Sequence, residues 1–432
     1  MTPIARISAA LEILTEIDTR RRPASDVMKE WGINHRFAGS KDRSAIGLLV
    51  FDAFRVKAAA QHIMKAETPR ANLLGSLALV RKLSVAEIDA LMPKGERFAA
   101  PALDEDERAA LAACDLSDAP DFIKGNYPKW LDGQFHALFG ENAVAEGQAM
   151  AARAPVDLRV NTLKATRYEV LGALAHLNVT ASPLSPWGIR IPVSEDGRGP
   201  ALQAEPSFAL GHVEVQDEGS QVAALLSGAK PDMHVLDLCA GGGGKTLALA
   251  AMMQNKGKLI AADSDGRRLM PIFDRLTRAG VTNVEVRNPK GKVLALEDLH
   301  NTQDIVFVDA PCSGSGTWRR NPDSKWRLRQ PSLSQRLDEQ DQVLVKAAEF
   351  VKSGGKLVYV TCSLLREENE DRVSRFLRQN GNFTALDPSE MTAGPDLAHL
   401  QSFASRFGAG LRLTPLSAGT DGFYIAVLRR DA

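Results

Sequence analysis

The sequence predicts an α/β protein whose C-terminal part is a doubly wound parallel sheet, preceded by a small α+β module and an all-helical N-terminal region. Three observations predict this architecture. Apolar residues recur at helical spacing near the N-terminus, strand-like runs begin near residue 157, and short apolar runs alternate with helical stretches further on. We therefore predict three domains, at 1–125, 126–228 and 229–432.

The composition is that of an ordinary globular protein, with 44% hydrophobic and 25% charged residues in a chain of 432. Lysine plus arginine and aspartate plus glutamate each total 53, which argues against nonspecific coating of nucleic acid but allows local basic patches. We find neither a signal-peptide pattern nor an apolar run of about 20 residues. We expect a cytoplasmic monomer that does not bind a membrane.

Four cysteines in so long a chain do not indicate a disulfide framework. The sequence contains neither a C-x-x-C pair nor an H-E-x-x-H motif, so no metal site is expected.

The helical region shows apolar residues three and four apart, as at Ile7, Leu11 and Leu14. In the module, three strand-like runs at 158–160, 188–193 and 212–216 surround a helical stretch near 165–176.

The C-terminal domain contains five apolar runs that we interpret as strands: MHVLDLC (233–239), KLIAAD (258–263), NVEVR (283–287), DIVFVDA (304–310) and GKLVYVTC (355–362). Helical stretches separate several of them, which indicates a parallel sheet. In such a sheet ligands bind at the carboxyl ends of the strands.

A glycine loop follows the first of these strands. It consists of Cys239, Ala240, Gly241, Gly242, Gly243, Gly244 and Lys245. Consecutive glycines allow a sharp turn and close approach of the backbone to a ligand. Asp263 lies about 20 residues further on, where a doubly wound nucleotide-binding domain places its ribose-binding acid.

Three ligand-binding motifs are candidates for this loop. A P-loop requires glycine where Cys239 stands, and a dinucleotide fingerprint requires glycine where Thr246 stands. Binding of S-adenosylmethionine needs only a glycine turn and an acid for the ribose, so it fits best. A glycine-rich surface turn is the alternative without function.

Cys312 and Cys362 each follow an apolar strand of the same sheet and each precede a serine. Free cysteines are usually small buried hydrophobes, and we accept that role for Cys114. Two at one crevice fit methylation of cytosine carbon 5. There a thiolate adds to carbon 6 of a flipped-out base and so activates carbon 5, and a proton must later leave carbon 5.

Asp309 stands three residues before Cys312, at the end of the same strand. Its carboxyl group is placed to hydrogen-bond ring nitrogen 3 and the amino group of a cytosine. A strand-end cap is the alternative.

The motifs CAGGGGKT, VDAPCSGSG, RRNPDSKW, KSGGKLVYVTCSLLREENE and TDGFY, with DLRVNTLK and QDEGSQ before them, resemble the Sun-type (Fmu, RsmB-like) RNA cytosine-5 methyltransferases over about 126–432. The resemblance implies a class I methyltransferase (Rossmann-like) catalytic domain, S-adenosylmethionine as cofactor, and structured RNA, above all ribosomal RNA, as substrate. The N-terminal region resembles the NusB-like RNA-binding extension, best over 41–55.

The resemblance also implies roles for individual residues. Cys362 would be the nucleophile and Cys312 would assist release of the product. Lys245 would lie near the methionyl group and the target base, and the loop 239–245, Asp263 and Asp309 would surround the cofactor. The sequence departs from the family at Gly241 and Gly242, where Ala and Pro are usual, and at Asn288, where the family has an acid near the adenine.

The segment 317–329 interleaves aromatic and cationic residues, which suits splayed RNA bases and their phosphates. The candidates for RNA contact are Trp318, Arg319, Arg320 and Lys325, with Arg159 and Asn161 of the module as weaker ones. A solvated charged face is the alternative.

Other functions remain open. In a DNA cytosine-5 methyltransferase Cys312 would be the nucleophile and Cys362 dispensable. A transfer-RNA enzyme, or a non-catalytic RNA-binding protein of the same fold, are the further alternatives.

Overall fold

The structure is a computed structural model that describes residues 1–194, 197, 199–289, 291, 294–394 and 396–432. The chain forms two compact units. The first contains Met1–Arg153 together with Thr317–Leu328, and the second contains Ala154–Ser194, Gly199–Gly316 and Arg329–Ala432. In the described part of the chain, no helix combines the length and the hydrophobicity needed to cross a membrane.

The first unit is helical, as predicted. Its helices up to Arg153 are α1 (Pro3–Arg20), α2 (Ala24–Asn34), α3 (Ser40–Arg55), α4 (Lys57–Met64), α5 (Pro69–Leu79), α6 (Val85–Leu91), α7 (Glu105–Ala113), α8 (Asp121–Lys124), α9 (Asp132–Phe139) and α10 (Ala143–Ala151). The acidic run at 104–107 begins α7, where Asp104 and Glu107 form a capping box.

The compact helical unit extends beyond the predicted boundary at residue 125, as far as Arg153. Tyr127 is fully buried and stacks on Phe135 with ring centroids 4.1 Å apart. The YPKWL segment, where the composition changes, therefore belongs to the helical core.

The α+β module forms a four-stranded antiparallel sheet in the order β2-β3-β1-β4. Its elements are β1 (Val156–Val160), α11 (Arg167–Ala173), β2 (Thr180–Ala181), β3 (Gly188–Ile191), α12 (Pro206–Ala209) and β4 (Val213–Val215). The structure does not separate this module from the following domain at residue 228, since both lie in the second unit.

The large sheet has the order β10-β12-β9-β8-β5-β6-β7, with β11 paired to β12. Its strands are β5 (His234–Asp237), β6 (Lys258–Ala262), β7 (Val284–Arg287), β8 (Gln303–Asp309), β9 (Val351–Thr361), β10 (Phe383–Ala385), β11 (Leu411–Leu413) and β12 (Phe423–Arg430). The strands from β5 to β9 pair in parallel, as predicted, whereas β12 runs antiparallel to β9.

The remaining helices are α13 (Glu218–Leu225), α14 (Gly244–Met252), α15 (Gly266–Leu269), α16 (Ile272–Ala279), α17 (Pro322–Arg327), α18 (Gln330–Ala348), α19 (Glu370–Gln379), α20 (Pro388–Met391) and α21 (Pro415–Ala418). Of these, α17 belongs to the first unit.

Both faces of the large sheet are covered, which explains why its central strands are almost continuously apolar. Along β8, Ile305 and Phe307 pack into the core on one face, and Val306 and Val308 pack into the core on the other. The strand order reverses at β5, which lies between β6 and β8. The crevice beyond β5 and β8 is therefore where a doubly wound sheet binds its ligand.

Candidate active site

Parallel pairing of β8 and β9 brings the two predicted cysteines together. Asp309 at the end of β8 is in register with Val360 of β9, so the loops after both strands emerge side by side. The sulfur atoms of Cys312 and Cys362 lie 3.3 Å apart. At this distance one sulfur atom can donate a hydrogen bond to the other.

Below the cysteines, a buried carboxylate holds their two loops in place. Glu368 accepts a hydrogen bond from the Ser313 backbone N–H at 2.7 Å and from the hydroxyl of Ser363. Gln340 donates to the same carboxylate at 3.0 Å. Glu368 therefore fixes the residue that follows each cysteine.

The surroundings of Cys312 disfavour loss of its proton. The hydrogen bond to Cys362, burial, and the negative charges of Cys362 and Glu368 raise the pKa of Cys312 well above the ordinary value. Cys312 is therefore held as a thiol. Burial and the nearby carboxylates also raise the pKa of Cys239, so this third cysteine of the domain is a poor nucleophile.

The glycine loop between β5 and α14 needs glycine at two positions. Gly241 and Gly243 have φ of +49° and +82°, in the left-handed region. A Cβ atom on Gly243 would lie 2.4 Å from Cγ1 of Ile272, so α16 packs directly against the turn. The loop backbone consequently lies closer to its surroundings than a loop with side chains could.

We expect Gly243→Ala to lower the free energy of unfolding by about 2–4 kcal/mol, because it adds left-handed strain to a clash with Ile272. Gly172→Ala is the control, since Gly172 lies in exposed helix α11 with open space around it. That control should be neutral or stabilising by about 0.5–1 kcal/mol. Denaturant unfolding of both variants measures the difference, and equal stabilities would contradict the expectation.

Asp263 follows β6 and is buried against the loop. Its carboxylate accepts hydrogen bonds from the N–H groups of Gly241 at 3.0 Å and Asp265 at 2.9 Å. Arg268 forms an ion pair with it at 3.2 Å. The predicted ribose-binding acid is therefore also the group that fixes the entry to the glycine loop.

Lys245 extends from the start of α14 toward the end of β8, where it donates a hydrogen bond to Asp309 at 2.7 Å. Burial alone would lower the pKa of Lys245, but the charge and hydrogen bond of Asp309 outweigh burial and raise it. The charge of Cys362 raises it further. Lys245 is thus a permanent cation between the predicted base-binding acid and the predicted nucleophile.

Asp237, the last residue of β5, is a site residue that the sequence interpretation missed. One oxygen accepts a hydrogen bond from Thr246 at 2.7 Å, and the other has no hydrogen-bond partner among the described residues. Burial raises its pKa to about 7. The signal was present in the sequence, because Asp237 is an acid inside an apolar strand directly before the glycine loop.

These groups surround a pocket of about 310 Å³. Its lining consists of Val215, Gln216, Asp217, Ser220, Asp237, Cys239, Ala240, Gly241, Gly242, Gly244, Lys245, Arg268, Arg275 and Asp309. Seven of these residues are predicted from the sequence, whereas the contributions of β4, α13, α15 and α16 are not. Asn288 is exposed after β7, near Gly266, and is not among the lining residues.

The pocket fits the methionyl and ribosyl parts of S-adenosylmethionine. The unpartnered oxygen of Asp237 suits a cationic ammonium group, and the side-chain-free loop admits a ligand against its backbone. Asp263 lies directly behind the loop, where it accepts a hydrogen bond from Gly241, and is not among the lining residues.

The segment 317–329 is not the exposed RNA-binding strip that the sequence suggested. Trp318, Arg319 and Lys325 are almost fully buried in the helical unit, and Arg320 is half-buried. Lys325 lies 6.0 Å and 5.0 Å from the ring centres of Trp318 and Trp326. The alternation of cations and indoles therefore makes internal cation–π contacts, a use that a sequence pattern cannot distinguish from base stacking.

The two weaker RNA candidates are structural as well. Arg159 is buried and donates to Gln216 at 2.7 Å. Asn161 is buried and donates to the carbonyl groups of Gly211 and Ala279 at 2.9 and 2.8 Å. Neither side chain is available to an RNA in this structure.

Comparison with known families agrees with this geometry. The family described as 16S rRNA methyltransferase RsmB/F matches residues 223–429, and the RsmF/B-like ferredoxin-like domain matches residues 127–195. A probable ribosomal RNA small subunit methyltransferase B of Synechocystis is 33% identical over 71% of this chain and 67% of its own length. The human 28S rRNA (cytosine(4447)-C(5))-methyltransferase is 31% identical over 71% of this chain and 38% of its own length.

Solved structures share the fold. The crystal structure of PH0851 has a TM-score of 0.71 and 24% identity, and the match covers 100% of this chain and 99% of that one. A methyltransferase homologue from Pyrococcus horikoshii has a TM-score of 0.56 and 28% identity, with 72% and 97% covered.

The Rossmann-like methyltransferase sheet, the small α+β module and the helical N-terminal region predicted from the sequence are thus all confirmed, and the module matches a ferredoxin-like domain. The two family matches and the similarity to the Synechocystis relative show that this chain belongs to the RsmB/F family of 16S rRNA methyltransferases.

Proposed function

We propose that this protein transfers a methyl group from S-adenosylmethionine to carbon 5 of a cytosine in ribosomal RNA, through a covalent adduct with Cys362. The observation that carries the proposal is the pair of sulfur atoms, Cys312 and Cys362, 3.3 Å apart beyond the ends of β8 and β9. An enzyme that methylates an already nucleophilic atom would need neither thiol.

The residues divide the work as follows. The Cys362 thiolate adds to carbon 6 of the base, and the nearby charge of Lys245 stabilises that thiolate. Asp309 accepts a hydrogen bond from the amino group, and also from ring nitrogen 3 once that nitrogen has taken up a proton as the thiolate adds. These contacts orient carbon 6 toward Cys362. The bound cofactor supplies an electrophilic methyl group to the activated carbon 5.

Release is the task of Cys312. A water molecule takes the proton from carbon 5, and the electron pair of that C–H bond forms the double bond between carbons 5 and 6. The bond between carbon 6 and the Cys362 sulfur breaks at the same time, and the sulfur departs as a thiolate. Cys312 is held as a thiol within hydrogen-bond distance of that sulfur. Its S–H group can donate to the departing thiolate and so lower the barrier to elimination.

The relatives favour ribosomal RNA over the alternatives. The family description and the names of the relatives specify small-subunit and 28S ribosomal RNA. A transfer-RNA or DNA substrate has no comparable support, and a non-catalytic role would leave the paired thiols without a function.

The test is release of tritium from RNA that carries tritium at carbon 5 of cytosine, since methylation at that carbon must expel it. Unmodified small-subunit ribosomal RNA, transfer RNA and duplex DNA are compared under the same conditions with S-adenosylmethionine. We expect release from ribosomal RNA only, and bisulfite sequencing then identifies the cytosine. Methyl transfer without tritium release would disprove the carbon-5 assignment.

The cofactor site has its own test. We expect Asp263→Ala to weaken binding of S-adenosylmethionine by about 1.5–3 kcal/mol, the range for a hydrogen bond to a charged group. Asp274→Ala, at an exposed acid on α16, is the matched control and should bind normally. Calorimetry that gives wild-type affinity for Asp263→Ala would remove this carboxylate from the site.

A further inference from the structure

The four consecutive glycines of the loop pose a physical problem. Glycine loses more conformational freedom on ordering than any other residue, so a loop of this composition is costly to hold in one conformation. The turn at Gly241 is fixed from inside by Asp263. Gly242, at the outer side of the turn, needs a different support.

That support comes from α16. Arg275 donates a hydrogen bond to the carbonyl oxygen of Gly242 at 2.6 Å. The same guanidinium is held from behind by Glu214 of β4, with contacts of 3.0 and 3.3 Å. Glu214 is itself buried, so the carboxylate cannot easily exchange Arg275 for water.

Arg275 also fills the space where a side chain at position 242 would stand. A Cβ atom on Gly242 would lie 3.3 Å from Nη1 of Arg275, which is closer than most real Cβ contacts. Gly242 does not have a positive φ, so a side chain there would be crowded by this neighbour and not strained by the backbone.

We infer that Arg275 is a positioning residue of the cofactor site. Held by Glu214, Arg275 braces the glycine loop at Gly242. It thereby supplies the rigidity that a side chain at position 242 would otherwise give. The inference rests on the proposed binding of S-adenosylmethionine at this loop. Arg275 lines the pocket itself, so the brace acts where the cofactor would bind.

The structure offers a matched control in Arg278. It lies one turn further along α16, forms an ion pair with the same Glu214 and has the same side-chain exposure of 24%. Its ring contact is with Phe208, at 4.1 Å, and it does not line the pocket. Arg278→Ala therefore removes an equivalent ion pair without removing the contact to the loop.

The experiment measures binding of S-adenosylhomocysteine by calorimetry, and amide hydrogen exchange of the 239–246 segment without ligand, on the full chain. For Arg275→Ala we expect affinity to fall at least roughly tenfold and exchange in the loop to accelerate. For Arg278→Ala we expect affinity within about twofold of wild type and unchanged exchange in the loop. Equal losses of affinity in the two variants would overturn the inference, because both arginines would then contribute only to general packing.

A second substitution tests whether Arg275 replaces a side chain. Gly242→Ala alone should weaken binding, since its Cβ crowds the guanidinium. In the Arg275→Ala background the same change should tighten binding and slow loop exchange, since the space is then free and alanine restricts the loop. Additive effects of the two substitutions on affinity and on loop exchange would refute the proposed role of Arg275. Failure of the wild-type protein to bind would instead refute the proposed cofactor site.

Discussion

Cys312→Ala is expected to leave the protein covalently joined to its RNA, whereas Cys362→Ala is expected to form no adduct and to transfer no methyl group. Without Cys362 the reaction stops before any bond to carbon 6 forms. Without Cys312 the thiolate still adds, but the departing sulfur loses the hydrogen-bond donor that lies 3.3 Å away, so elimination stalls.

The adduct is measured as a slower band in denaturing gel electrophoresis, with labelled ribosomal RNA. If methyl transfer precedes the stall, the band requires S-adenosylmethionine. Cys114→Ser, at the cysteine that caps α7 in the helical unit, is the control and should behave as wild type. A DNA-type mechanism gives the reverse pattern, so an adduct from Cys362→Ala but none from Cys312→Ala would overturn the assignment.

The strands that carry the site could be predicted because they are buried on both faces. Apolar runs such as DIVFVDA have the length and the flanking residues of a buried strand, a combination that few other structural elements show. Parallel pairing of such strands then fixes where their ends meet. The proximity of Cys312 and Cys362 follows from that topology alone. The edge strands β10 and β11 are three residues long and carry no comparable signal.

Residues that act through tertiary contacts could not be predicted. Glu368 reads in the sequence as one acid of a charged REENE run, yet it is fully buried beneath both cysteine loops. Arg275 reads as one of several cations on an amphipathic helix. Its importance depends on Glu214, which is 61 residues away in sequence.

The opposite error occurred at Trp318 and Lys325, where a pattern typical of nucleic-acid binding stabilises a protein core. Burial depends on what surrounds a segment, and composition does not encode it. A surface for RNA must therefore be sought among exposed groups and not at Trp318 or Lys325.

Asp309→Asn is expected to lower the rate of methylation by about 10²–10³-fold, the usual cost of removing one preorganised polar contact to a reacting group. Asparagine retains the shape of the carboxyl group. It can no longer accept hydrogen bonds with both side-chain atoms, nor offer a negative charge to Lys245, to which Asp309 is bound at 2.7 Å.

The pH profile of the rate separates the loss of the acceptor for the base from the loss of the negative charge beside Lys245. In the wild type, Asp309 opposes burial and raises the pKa of Lys245, so the ammonium group keeps its charge into the alkaline range. Without Asp309, burial prevails and the pKa of Lys245 falls. The alkaline limb of the rate profile should then move to lower pH, since Lys245 loses its proton earlier and the Cys362 thiolate loses its neighbouring cation.

Asp304→Asn is the matched control, because Asp304 lies at the other end of β8 and forms an ion pair with Lys352. It should leave both the rate and the pH profile unchanged. The single variant Lys245→Met and the double variant Asp309→Asn with Lys245→Met complete the set of variants. If Asp309 acts only by holding Lys245, the double variant will be no slower than Lys245→Met; if Asp309 also binds the base, as proposed here, it will be slower still.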